Sequence, residues 1–188
     1  RTRRGARPAE QPRSAMGIVS LADGRLTEIE RVRSFSVAKD GGRFVVYQPE
    51  ADSASGNGTP AGANRNAAAR SDSSARPARR KDSGSTLVIR ELASGTETRI
   101  ENVTTFALHD SERWLAYARG GADSLGIDGV YLRDLTSGAE TALKVATGNY
   151  RSLTFDDAGT QLAFVTDADS WSAETARYAL YHASIAGT

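Results

Sequence analysis

The apolar positions of this chain fall in short runs, each closed by a Gly-, Asp- or Ser-containing turn signal, and β-branched and aromatic residues crowd them. Runs this short predict strands and argue against helices. The pattern also repeats. Leu87-Val88-Ile89-Arg90-Glu91-Leu92-Ala93-Ser94-Gly95-Thr96-Glu97-Thr98 matches Val130-Tyr131-Leu132-Arg133-Asp134-Leu135-Thr136-Ser137-Gly138-Ala139-Glu140-Thr141, and Gly95 and Gly138 stand 43 residues apart. Each copy is a strand, a Ser-Gly turn and a returning strand, the signature of a hairpin. A fainter copy runs from Val19 to Thr27.

A second kind of hairpin accompanies each copy. Ser34 to Val37 leads through Lys39-Asp40-Gly41-Gly42 to Arg43–Tyr47, and Thr105 to Leu108 leads through Asp110-Ser111-Glu112 to Trp114–Tyr117. Ser152 to Phe155 leads through Asp156-Asp157-Ala158-Gly159 to Gln161–Val165. Asp recurs at the turns because it bonds back to its own backbone, and Gly because it tolerates positive φ. The strand after each turn is almost wholly apolar, as expected of one buried on both faces. Two hairpins per unit give four strands, and a repeat of this length predicts an all-β fold, a partial β-propeller of about three four-stranded antiparallel blades plus the start of a fourth. A ring closes with roughly four to eight blades, so the expected shape is an arc.

The expected organisation is a basic tail over 1–16, blade 1 over 17–50, an insertion over 51–84, blade 2 over 85–127, blade 3 over 128–177 and the start of blade 4 over 178–188. The insertion is built of Ala, Ser, Gly, Asn, Arg and Pro, with no aromatic residue and no Val, Ile or Leu. It offers nothing to offset the entropy of ordering, and disorder is expected. Its Arg79-Arg80-Lys81 run reads as a solvated linker. With no initiating Met and a strand-like run close to residue 188, the chain reads as a piece of something longer.

Charge sharpens this division. The net charge of +1 hides eleven of the 24 basic residues in 1–16 and 51–84, against four acids there. The remainder is net negative, which argues against a nucleic-acid-binding face. No apolar run reaches membrane-span length, and the absence of cysteine rules out disulfides and thiolate chemistry. The compartment stays open, with periplasmic or secreted settings slightly favoured. The triplets at Asn57 and Asn102 match the glycosylation pattern without deciding it.

Candidate chemistry is thin. His109 and His182 sit at turn-flanking and strand positions with no nucleophile or orienting acid implied by spacing, so both read as structural. Asp156-Asp157 fills the turn slot of the repeat. Asp167 and Asp169 lie in a loop without the ordered ligand series of a calcium site. Trp114 and Tyr117 recur as Phe44 and Tyr47, which predicts packing between blades rather than a ligand platform. Trp171 breaks the pattern, and could be an exposed rim contact or pack on a neighbouring blade. No catalytic, metal or cofactor-binding residue is assigned, and no cofactor is expected.

Leu87 to Thr98, Trp114-Leu115-Ala116-Tyr117, Asp128 to Leu135 and Gly148 to Asp167 together resemble the noncatalytic amino-terminal propeller of prolyl oligopeptidase family serine peptidases, in particular large bacterial members. The low-complexity insertion is similar too. The resemblance covers about residues 17 to 185. It implies a carboxy-terminal α/β-hydrolase domain carrying Ser, Asp and His, which the propeller covers, admitting small or flexible peptides. None of the 18 glycines opens a Gly-x-Ser-x-Gly elbow, so no triad residue transfers to this chain. The resemblance thus implies a propeller portion that restricts and orients peptide substrates for a hydrolase domain in cis. A TolB-like or WD-repeat-like propeller scaffold that binds a protein partner is the alternative.

Overall fold

The computed structural model describes residues 14–50, 80–122 and 125–185. Among the described residues the elements are strands and a 3₁₀ turn at Ala168–Ser170. Strand β1 (Ala15–Val19) pairs antiparallel with β2 (Leu26–Glu30). Then come β3 (Val32–Val37), β4 (Phe44–Pro49), β5 (Ser85–Glu91), β6 (Glu97–Leu108), β7 (Trp114–Arg119), β8 (Gly129–Asp134) and β9 (Glu140–Val145). These are hydrogen-bonded in chain order throughout. Strands β10 (Tyr150–Phe155), β11 (Gln161–Thr166) and β12 (Ala179–Ser184) make a third sheet.

The seven-stranded run is two four-stranded sheets sharing one long strand. The first part of β6, to Val103, pairs with β5, and from Val103 onward it pairs with β7. Asn102 takes a φ of 63° in this crossover, and Arg31 takes 60° at the matching step from β2 to β3. At these two steps the chain passes from the outer strand of one sheet to the inner strand of the next through a left-handed residue, a repeat of backbone beyond the repeat of sequence. The step from β9 to β10 has none.

Side-chain alternation then builds three cores between successive sheets. Val45 and Tyr47 on one face of β4 join Met16, Val32 and Val88, while Phe44 and Val46 on the other join Leu87, Ile89, Leu115 and Tyr117. Along β7 the faces part in the same way, with Trp114, Ala116 and Ala118 turning to Tyr150, Leu162 and Phe164. The apolar strands β4 and β7 are thus buried on both faces, as their composition predicts, whereas β11 buries the face of Leu162 and Phe164 and leaves Ala163 and Val165 half-buried on the other. Phe44, Tyr47, Trp114 and Tyr117 are all core residues.

Strand pairing corrects the expected blade boundaries. Strand β4 lies in the unit 17–50 and β5 in the unit 85–127, yet they are direct neighbours in one sheet. The insertion interrupts a blade between its second and third strands instead of separating two blades. Likewise Ala179–Ser184 opens no fourth sheet but pairs with β11 along its whole length. The hairpins were legible and their grouping was not, because which hairpin edges join depends on contacts between strands distant in sequence.

The tail and the insertion lie outside the described residues except at their ends. Ala15 and Met16 belong to β1, with Met16 buried. Residues 80–84 form a strap across the second and third sheets. The buried Asp128 carboxylate receives Lys81 Nζ together with the Gly121 N–H at 3.2 Å and the Gly148 N–H at 3.4 Å. The Asp82 N–H donates to Asn149 Oδ1 at 2.8 Å, and Asn149 Nδ2 donates to the Arg80 carbonyl. Lys81 is therefore a buried anchor, contrary to its reading as part of a solvated linker. Its partners stand 47 and more residues downstream, out of reach of any local pattern.

Several exposed or half-buried carboxylates are held below their ordinary range. Thr160 hydrogen-bonds Asp156, aided by backbone N–H groups, and Tyr181 and then Lys144 do the same for Asp169. For Glu97 and Asp134 burial pushes upward and is outweighed, by Tyr47 and Arg90 in one case and by the N–H groups of Ser137 and Thr136 in the other. A carboxyl depressed in the folded state stabilises it above the unfolded value, near 4, and loses that contribution as pH falls through the folded value. Denaturant midpoints are expected to stay level from neutral pH to about 5 and to decline steadily below about 4. A midpoint unchanged at pH 3 would contradict these assignments.

Candidate functional site

The two histidines separate cleanly. His109 Nδ1 lies 2.8 Å from Ser111 Oγ, a distance suited to a base and nucleophile, but the Ser111 N–H also donates to Nδ1 at 3.1 Å. Both contacts are local to one turn. The remaining ring faces are filled by Phe155, edge-on at 5.4 Å, and by Gly159, so no acid orients the imidazole as a triad requires. His182 Nε2 meets Gln161 Oε1 on an exposed strand. No contact joins the two histidines.

The acid pairs also resolve into local roles. Asp156 accepts from Thr160 N–H and Gln161 N–H and closes its turn. Asp167 is buried, where it accepts from the Asn149 N–H at 2.7 Å, while Asp169 stays exposed and pairs with Lys144 at 3.0 Å and with the Tyr181 hydroxyl. Among the described residues no three His, Asp or Glu side chains are grouped to hold a metal ion. Trp171 is half-buried, at the end of the 3₁₀ turn.

One titratable motif was missed by inspection of the sequence. The Tyr47 hydroxyl donates to Glu97, which Arg90 also binds, and Tyr117 donates to Glu140, beside Arg133 and Arg119. Burial first, and then the neighbouring carboxylate, push the Tyr47 phenol up to about 12 and Tyr117 upward as well. A phenol so held stays protonated at neutral pH and is a poor base. Because Arg90 and Glu97 match Arg133 and Glu140 in the repeat, the motif is a strut of the blade.

A different place gathers functional groups from the two four-stranded sheets and from the sheet of β10 to β12. The inner strands β3, β6 and β10 lie side by side, and each is irregular at the same end. Register shifts fall between Val32 and Ser34, between Val103 and Thr105, and between Arg151 and Thr154, the last with Ser152 at φ 55°. A bulge re-aims the side chains around it. Here the re-aimed residues, with the strap, line a polar mouth of about 340 Å3 formed by Arg33, Thr104, Thr105, Arg151, Ser152, Asp82 and their neighbours. Arg151 is fixed by Asp82 Oδ2, which accepts from Nη2 at 2.9 Å and Nε at 3.2 Å. Arg33 is exposed. The signal was available as Val32-Arg33-Ser34, Val103-Thr104-Thr105 and Tyr150-Arg151-Ser152, polar residues at matching points of the repeat.

Comparison with known proteins adds fold-level likeness. The model is similar to the tricorn protease, at 16% identity and a TM-score of 0.49 over 81% of this chain and 13% of that one. It is similar to the acylaminoacyl peptidase of Pyrococcus horikoshii, at 15% identity and a TM-score of 0.43 over 72% of this chain and 17% of that one. A third match is the β-propeller domain of the Trilobed protease from Pyrococcus furiosus, at 12% identity and a TM-score of 0.43 over 82% and 43% of the two chains. These are peptidases and a peptidase's propeller domain. The chain spans less than half of each. No family model matches it, and no curated protein is detectably similar.

Proposed function

We propose that the chain is the noncatalytic propeller portion of a prolyl oligopeptidase-like serine peptidase, which restricts and orients peptide substrates for a hydrolase domain lying outside these residues. The observation that carries this reading is the polar mouth at one end of the inner strands. It is built from three sheets at once, while the His109–Ser111 contact lies at the other end of β6 and has no orienting acid. A face of this kind can bind and align an extended peptide but supplies no nucleophile to attack it.

The test is hydrolysis of fluorogenic peptides by the 188-residue chain and by the whole protein that contains it. The expected result is no turnover by the chain and serine-dependent turnover by the whole protein, with long peptides cleaved poorly. Turnover by the chain itself overturns the proposal. A whole protein made of further blades without a Gly-x-Ser-x-Gly elbow also overturns it, in favour of a scaffold.

A further inference from the structure

We infer that the inner-strand mouth is a recognition site for the terminal carboxylate of a peptide, with Arg33 as the residue that reads it; this rests on the peptide-handling role proposed above. Three observations carry the inference. First, the charged side chains lining the mouth are Arg33, Arg151 and Asp82, and Asp82 is consumed by Arg151. One guanidinium's worth of positive charge is left over. Second, the remaining lining is rich in hydroxyls, from Ser83, Thr104, Thr105 and Ser152, with one of them, Thr104, engaged by the Ala118 carbonyl. Third, all three inner strands depart from regular pairing at this one end.

The chemistry selects the ligand class. A guanidinium is a planar fork of N–H donors that matches a planar carboxylate, and hydroxyl donors complete its second oxygen. A single uncompensated charge suits a monoanion better than a phosphate dianion. The larger cleft between β2 and β6, of about 590 Å3, offers no such match, since Glu30, Glu50 and Glu101 outnumber its Arg31 and Arg99. A mouth of about 340 Å3 also holds a few residues of an extended chain and no more, which suits a chain end. The carboxylate would anchor that end while the rest of the peptide leads away from it.

The experiment titrates the 188-residue chain with acetyl-tetraalanine as the free acid, with the same peptide as its amide, and with acetate, followed by calorimetry or by NMR shifts. The free acid is expected to bind about tenfold more tightly than the amide, the increment typical of one charge-assisted contact. R33Q should erase that difference, R33K should restore part of it, and R99Q, outside the mouth, should leave it unchanged. Arg33 is exposed, so its substitution leaves the fold intact, which circular dichroism verifies. Equal binding of acid and amide overturns carboxylate recognition and leaves the peptide-handling role standing. Failure of both peptides to bind overturns both, and acetate binding as tightly as the peptide shows a simple anion site and overturns the inference.

Discussion

Replacing Asp128 with Ala is expected to destabilise the chain by about 3 kcal/mol, because it removes one member of a buried ion pair together with the acceptor of two backbone N–H groups. The pair is enclosed, with side-chain exposures of 12% for Lys81 and 4% for Asp128. Asp128 is also the acceptor for Gly121 and Gly148 N–H groups, so its loss takes the acceptor from two backbone donors as well as from Lys81. Lys81→Met should cost less, though more than about 1 kcal/mol, since the carboxylate keeps its two backbone donors. Asp128→Asn should fall between them, as the amide oxygen retains one N–H contact and the amide nitrogen repels Lys81. Urea denaturation of the three variants checks the order. Changes below about 0.5 kcal/mol in all three would mean that the strap of residues 80–84 is not anchored as described.

That strap marks the limit of what could be read in advance. Strands, turns and the double burial of β4 and β7 followed from residue periodicity, since Phe44 to Tyr47 and Trp114 to Tyr117 state their burial on both faces by having no polar position. Grouping of hairpins into blades did not follow, because β4 and β5 join across a long polar insertion and local pattern holds no information on that pairing. Buried polar residues were hidden for the same reason. Glu112 reads as a turn residue, yet it is buried and its carboxylate accepts from the Arg43 and Phe44 N–H groups of the preceding blade's turn. Its partners are some seventy residues away. The mouth lies between these cases. Its polar residues occupy matching positions of a visible repeat, but only the register shifts show that they are aimed together.

The crossover that shares β6 between two sheets supplies a second large effect. Gly84 lies where the strap passes the backbone of Asn102, its N–H donating to Gly120 O at 3.0 Å while Gly120 N–H donates to Asn102 O at 2.9 Å. A Cβ on Gly84 would stand 2.0 Å from the Asn102 carbonyl carbon and 2.1 Å from its oxygen. These are backbone atoms, and they belong to a residue already held at φ 63°, so neither side can yield cheaply. Gly84→Ala is therefore expected to cost about 3 kcal/mol, at the upper end of overpacking substitutions. Gly42 is the control, because a Cβ there meets nothing within 4 Å and its φ is ordinary. Gly42→Ala should be neutral or slightly stabilising, by up to about 1 kcal/mol, through a less mobile unfolded chain. Since Gly84 also precedes β5, its displacement should loosen the strap over the mouth and weaken carboxylate binding along with stability. If Gly84→Ala and Gly42→Ala melt alike, the close approach of strap and crossover is wrong, and with it the path by which the strap reaches Arg151.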